Sequence, residues 1–335
     1  MTGATAGRLA VAGAALVLGC SGGGGDAAPD TAEAHVAAAR AAAGVEHAAL
    51  FERLCTQTAG ADVVGPSVAP DVPDSLRSTA PDRPGWYAEP RRVFDNLYWV
   101  GQTRYSAWAV TTSEGIIVID PLFEYSVEAA IAEGLERLGF DPADIRYVIV
   151  SHGHRDHVGG ARYLQERFGA RVVMAAEDWD LVERSGGDWP KPERDIEAYD
   201  GYELELGETT LTLYATPGHT PGTISTLIPV RDGDATHVAA LWGGTAFNFI
   251  GDDDEATWFR AYAASAERFV EIARVAGADV LLSNHPLYDG STTKLPALAS
   301  RQSGEPHPFV IGTESIDRYL TVAAECARVG LGGGA

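Results

Sequence analysis

Three branched apolar residues, Val148-Ile149-Val150, run straight into Ser151-His152-Gly153-His154-Arg155-Asp156-His157-Val158-Gly159-Gly160. The apolar run predicts a strand end covered on both faces, and the strand stops at Ser151. The loop beyond it carries three histidines and one aspartate within six positions. Imidazole and carboxylate are the donors that a borderline-soft divalent cation such as zinc accepts. Pointing different ways around one tight loop, the four groups could serve two adjacent ions rather than crowd one. Gly159-Gly160 then lets the chain turn and pack closely before a helix-like run, Ala161 to Phe168.

A metal loop of this kind needs ligands from elsewhere, and two further histidines share its setting. His219 lies in Thr216-Pro217-Gly218-His219-Thr220-Pro221-Gly222, just past the apolar run that ends at Ala215. His285 lies in Ser283-Asn284-His285-Pro286, just past Val280-Leu281-Leu282. Loops at strand ends, held from below by rigid strands, are how scaffolds fix ligands in place. The other four histidines lack that setting. His35 and His47 sit on expected N-terminal helices, His237 starts a strand, and His307 stands between Pro306 and Pro308. These four are read as making local hydrogen bonds or facing solvent.

The rest of the chain alternates in the same grammar. Short β-favouring runs are expected at 97–100, 107–110, 116–119, 146–150 and 171–176, and again at 202–206, 211–215, 224–229, 237–242 and 280–282. Helical spacing appears at 127–138, 161–168, 258–276 and 315–328, with a polar stretch after residue 176 up to Tyr199. Two strand-rich halves, each with helices, imply an α/β fold: a four-layer αββα sandwich over residues 93–329. Residues 31–92 divide into an alanine-rich helical part and an arm punctuated by six prolines, which is extended rather than a domain. Residues 330–335 are a glycine-rich tail expected to be disordered.

The pattern His152-x-His154-x-Asp156-His157, with His219 and His285 downstream, resembles the metallo-β-lactamase superfamily from about Val93 to Arg328. The resemblance implies two zinc ions, the first held by His152, His154 and His219, the second by Asp156, His157 and His285. It also implies a small-molecule substrate attacked by a hydroxide that the zinc pair makes available near neutral pH, with Asp156 holding that hydroxide by a hydrogen bond as well as ligating. Relatives such as glyoxalase II and many lactonases carry a bridging aspartate after a strand of the second half. Here that strand runs into Trp242-Gly243-Gly244-Thr245, with Gly244 where the acid would stand. A site without a bridging acid, and with His157 in the second set, is most similar to subclass-three metallo-β-lactamases, which open the β-lactam ring of antibiotics. Gly244→Ala is therefore expected to leave the metal content unchanged. Thr245, Phe247 and Phe249 follow as candidate substrate contacts, Gln102 to Trp108 as a facing loop, and Trp86 and Tyr87 as part of an arm that could fold over the mouth. The alternatives are a hydrolase of lactones, thioesters or other esters on the same fold, or a non-enzymatic lipoprotein that holds zinc.

The formal charge of −22 argues against nucleic acid, whose phosphates need a basic surface. The first residues read as an address. Arg8 is followed by a short apolar run from Leu9 to Leu18, too short to span a membrane. Gly19-Cys20 after that run resembles the lipobox of bacterial lipoproteins, the alternative being an ordinary secretory signal cut nearby. Residues 1–19 are thus a signal peptide, Cys20 the lipidated residue, and 20–30 a Gly-rich tether. The expected location is the periplasmic side of the inner or outer membrane, with the lipid as the only membrane contact. Export puts Cys55 and Cys326, the two cysteines left, in an oxidising compartment. A disulfide between them is expected, the alternative being two buried free thiols.

Overall fold

The computed structural model describes residues 1–3, 30–60, 82–302 and 304–332. The signal run, Cys20, nearly all of the tether, the arm at 61–81 and the last three residues lie outside them.

Two helices come first, α1 (Ala32–Ala43) and α2 (Ala48–Ala59). Alanine favours helix because it loses no side-chain entropy there, and the Thr31 hydroxyl caps α1 by accepting from the Ala34 amide at 3.2 Å. A short turn of helix, α3 (Arg83–Trp86), precedes the first sheet. That sheet holds β1 (Arg91–Arg92), β2 (Leu97–Trp99), β3 (Trp108–Thr112) and β4 (Gly115–Ile119), then α4 (Glu133–Arg137) and β5 (Ile145–Ile149). After β5 come α5 (Arg155–Val158), α6 (Ala161–Phe168), β6 (Arg171–Ala175), α7 (Ala176–Arg184) and β7 (Ile196–Ala198). The seven strands lie in sequence order. Pairing is antiparallel from β1 to β4 and parallel from β4 to β7.

The second sheet takes β8 (Tyr202–Leu206), β9 (Thr209–Ala215), β10 (Ile224–Asp232) and β11 (Ala235–Trp242), then α8 (Glu255–Val275) and β12 (Val280–Ser283). Its order is β12-β11-β10-β9-β8, antiparallel except for the parallel pair β11–β12. Helices α9 (Ser291–Ser300) and α10 (Thr313–Gly330) finish the chain.

Alternation along the strands sorts the core into layers. On β4, Ile117 and Ile119 face the other sheet, whereas Ile116 and Val118 face the helices. Ile149 likewise turns to the inter-sheet core with Leu213, Ile224 and Leu241, while Val148 and Val150 pack with Leu135, Leu164 and Trp179. This double burial is why the run before the metal loop is apolar throughout. On the far side, α1, α2, α8 and α10 cover the second sheet in one continuous apolar cluster. The result is the expected four-layer αββα sandwich.

Several elements escape the sequence reading, α7, β7 and α9 among them. Helix α7 and strand β7 fall in the stretch read as polar; α7 buries only Asp178, Trp179 and Val182. Helix α9 carries an internal proline, Pro296, which argues against helix when read locally. The two N-terminal helices also belong to the body of the fold. Val36, Leu50, Phe51 and Leu54 are buried with Tyr319 and Val322, and Cys55 and Cys326 form a disulfide that joins α2 to α10.

Candidate metal centre

The loop after β5 and the turns after β9 and β12 converge at one edge of the sandwich. They form two groups of three side chains: His152, His154 and His219, and Asp156, His157 and His285, the candidate ligand atoms of each group lying within 4.8 Å of one another. All six sequence candidates are therefore brought together. The four histidines set aside are not: His35 meets Glu325 and Asp30, His47 meets Ser315, His237 meets Asp279 and His307 meets the Val93 carbonyl.

The ring orientations of four of the five histidines are fixed from outside. His152 donates through Nδ1 to the Gly243 carbonyl at 2.8 Å, and His219 through Nδ1 to that of Ala246. His285 donates through Nδ1 to the Arg104 carbonyl at 3.2 Å, and His157 Nδ1 faces Asp120 Oδ2 at 3.0 Å. Each of these four rings therefore turns Nε2 inward. His219 Nε2 lies 3.1 Å from both His152 Nε2 and His154 Nδ1, and His157 Nε2 lies 3.2 Å from His285 Nε2. In the first group, with the outer nitrogens of His152 and His219 carrying the protons, the two Nε2 lone pairs face each other, an arrangement that a cation between them relieves, and fixed tautomers of this kind are typical of ligating histidines. The residues present therefore fit a pair of divalent ions.

The electrostatics agree. Burial first, and then the neighbouring imidazoles, hold His152 and His219 well below the ordinary histidine range, and burial lowers His154 and takes His285 to about 3. Neutral imidazole is the form that ligates. Burial opposes a charge on His157 too, but Asp156 and Asp120 outweigh it and carry that ring up to about 10. Burial likewise opposes ionising Asp156, yet His157 prevails and holds the carboxyl far below its usual range. A cation in the second group would take the place of that proton.

Three supporting residues went unnoticed in the sequence. Asp120, in left-handed backbone with φ 59°, accepts from the Ser151 amide and hydroxyl, both at 2.8 Å, as well as from His157. An uncommon conformation of this kind at a non-glycine residue is kept where the surroundings over-determine it. Asp178, buried on α7, accepts from the Gly153 amide at 2.6 Å, the Thr220 hydroxyl at 2.7 Å and the Gly222 amide at 2.8 Å. It thus ties the loop of His152 and His154 to the turn of His219. Asn284 donates to the same Gly243 carbonyl as His152, at 2.7 Å. The signal for Asp120 was the Asp-Pro pair closing a buried strand; Asp178 and Asn284 gave none.

Gly159-Gly160 packs as expected: a Cβ on Gly160 would stand 2.1 Å from the Pro121 carbonyl oxygen. Gly244 is packed more tightly than the sequence suggests. A Cβ there would meet the His219 ring at 2.6 Å, so Gly244→Ala would push a ligand aside rather than leave the metal content unchanged. The candidate substrate contacts are corrected too. Phe247 and Phe249 are buried in an aromatic cluster with Phe259 and Tyr262 beneath the N-terminal helices, so they are core packing. Thr245 is also buried, its carbonyl accepting from the Tyr262 hydroxyl. The facing loop does reach the site, with the Tyr105 ring 5.2 Å from that of His285. Trp86 is buried against Tyr125 and its carbonyl accepts from Thr103, so it backs that loop instead of covering the mouth.

Residues 100–233 match the sequence profile of the Metallo-beta-lactamase superfamily. BJP-1, a subclass B3 metallo-beta-lactamase of Bradyrhizobium japonicum, aligns with a TM-score of 0.63 at 29% identity, over 71% of this chain and 91% of that one. A metallo-beta-lactamase of Cronobacter sakazakii with a HARLDQ motif aligns with a TM-score of 0.59 at 30% identity, over 70% of this chain and 90% of that one. A hydroxyacylglutathione hydrolase of Acidiphilium cryptum (strain JF-5) is 32% identical over 142 residues, 42% of this chain and 49% of that protein. The chain spans about half the length of the first curated relatives it matches. With the αββα sandwich, the two triads at its edge and these likenesses together, the chain belongs to the metallo-beta-lactamase superfamily of metal-dependent hydrolases.

Proposed function

We infer that this protein is an exported zinc-dependent hydrolase that opens the β-lactam ring of antibiotics, in the manner of subclass-three enzymes. The observation that carries the reading is the donor set itself. It has six side chains in two triads, with a histidine completing the second and with glycine at 243 and 244. No acid projects between the triads from that strand end, since a side chain at 243 would meet the Ile224 carbonyl at 1.8 Å and one at 244 the His219 ring. When bound, two zinc ions supply Lewis acidity that lowers the pKa of water and polarises a carbonyl. His152, His154 and His219 would hold the first ion, and Asp156, His157 and His285 the second. Asp156 is also placed to accept a hydrogen bond from the attacking water and so to orient it. Asp120 and Asp178 keep the ligand loops rigid.

Export is part of the reading. Its supports are the short apolar run ending at Gly19-Cys20 and the disulfide between Cys55 and Cys326, a bond that persists in oxidising compartments. Lipidation at Cys20 would anchor the domain on the periplasmic side of a membrane. A second reading, hydrolysis of a thioester or lactone, is favoured by the likeness to the hydroxyacylglutathione hydrolase.

Steady-state assays of the purified mature protein decide between them. A penicillin, a cephalosporin, a carbapenem and an acyl-homoserine lactone would be tested with and without chelator. The expected result is β-lactam hydrolysis lost to chelator and restored by zinc, with about two zincs per chain. Hydrolysis of the lactone alone would move the assignment to the second reading. Absence of bound transition metal at neutral pH would overturn both.

A further inference from the structure

We propose that an anionic group on the substrate is received by Arg53, on the N-terminal helix α2, and that this residue is the carboxylate anchor of the site. The inference rests on the hydrolase reading above and names a specificity element within it.

Two contacts fix which face of α2 looks at the site. Arg53 and Gln57 are one turn apart, so they share a face. Gln57 Oε1 accepts from the Phe247 amide at 3.1 Å, which sets this face against the loop leaving β11, three residues past Gly244. The Arg53 guanidinium lies beside the Tyr288 hydroxyl. Tyr288 in turn stands edge-on to His285, with ring centroids 5.7 Å apart. One side chain therefore separates Arg53 from a ligand of the second triad. The helix is also held firmly, because Cys55, two residues after Arg53, is bonded to Cys326 of α10.

The chemistry fits an anion. A chain of formal charge −22 repels anionic substrates at large, so a fixed cation beside the reacting centre favours their capture. Guanidinium is the side chain best matched to a carboxylate, through paired hydrogen bonds. Arg53 is half-buried, which strengthens such a pair relative to one in open water. Penicillins carry their carboxylate on the carbon next to the lactam nitrogen. An anion on Arg53 would sit beside the reacting ring without occupying the triads. Phe247 and Phe249, packed as core, cannot provide this recognition.

The test compares Arg53→Ala, Arg53→Lys and wild type on benzylpenicillin and on its methyl ester, with zinc bound and thermal unfolding checked to be alike. Arg53→Ala should raise KM for the acid about tenfold while kcat stays within about twofold, the signature of lost binding shared by ground and transition states. The ester should not respond, and Arg53→Lys should recover part of the loss. Calorimetric binding of benzylpenicilloate, the ring-opened acid, should weaken about tenfold in Arg53→Ala, as expected for one lost charge-assisted pair. An unchanged KM for the acid, or equal losses for acid and ester, would overturn the inference, the second by making Arg53 a packing residue for Tyr288. If wild type hydrolyses no penicillin, the lactamase reading fails and the binding arm alone judges Arg53. Tighter benzylpenicilloate binding by wild type than by Arg53→Ala then supports the anchor, and equal or absent binding refutes it.

Discussion

The Asp178 carboxylate holds the Thr220 hydroxyl at 2.7 Å from across the first candidate metal group. Through its bonds to the Gly153 and Gly222 amides, this one buried side chain couples two loops that share no strand. Removing it leaves two buried amide donors without an acceptor, and frees His219 to move relative to His152 and His154. Asp178→Ala should weaken the first zinc by roughly 10–100-fold, the usual cost of losing an outer partner of a ligand, and affect the second less. Competition titration with a metal indicator would show it as a widening gap between the two affinities; equal weakening of both would count against the assignment.

Gly244→Ala makes a second test. The added methyl has no room beside the His219 ring, and the ring is held from its other side by the Ala246 carbonyl. The variant should keep its fold but lose first-site zinc, read as about one metal per chain by elemental analysis. Two tightly bound zincs in the variant would mean that the loop shifts freely, contrary to the packing described here.

The disulfide gives a third. Its closure spans 271 residues of separation, and the loss of a native disulfide typically costs about 2–5 kcal/mol. Reductant, or the pair Cys55→Ala and Cys326→Ala, should lower the unfolding temperature by several degrees. Thiol titration of the denatured, lipid-free domain beginning after Cys20 should find reactive thiols only after reduction.

A fourth concerns pH. Burial raises the Asp289 carboxyl to about 6, above its value of roughly 4 in an unfolded chain. The folded protein therefore holds this proton more tightly, so stability falls as pH rises from about 4 to about 6 and stays lower above that. The size is roughly 3 kcal/mol at most, the Lys294 charge already acting on the carboxyl. Denaturant unfolding of wild type and Asp289→Asn between pH 4 and pH 7.5 would show it: the difference between them should shift in favour of the variant as pH rises. A difference that does not vary with pH would exclude Asp289 as the titrating group.

The ligand set was legible because its residues recur in one local setting, a loop directly after a buried strand, and because histidine and aspartate at such spacing have few other uses. The layers were legible for a related reason: Ile116 to Ile119 and Val148 to Val150 are apolar at every position, which demands cover on both faces. Asp178 was not legible. A lone acid in a polar stretch looks like solvent-facing charge, and its three partners come from residues 153, 220 and 222, far away along the chain. Phe247 and Phe249 were misread for the opposite reason. They follow the right strand, but the rings that bury them, Phe259 and Tyr262, stand on α8, and nothing local says that this helix folds back over the loop.

Each triad is assembled across the two sheets. His152, His154, Asp156 and His157 follow β5 of the first sheet, whereas His219 and His285 follow β9 and β12 of the second. An ion bound in either triad is therefore a rivet between the halves of the sandwich, placed at the edge where they would otherwise begin to part. Metal supply would then set the lifetime of the protein as well as its chemistry. A starved molecule would be open to proteases at its catalytic edge first, and a loaded one would have to release metal before its sheets could separate.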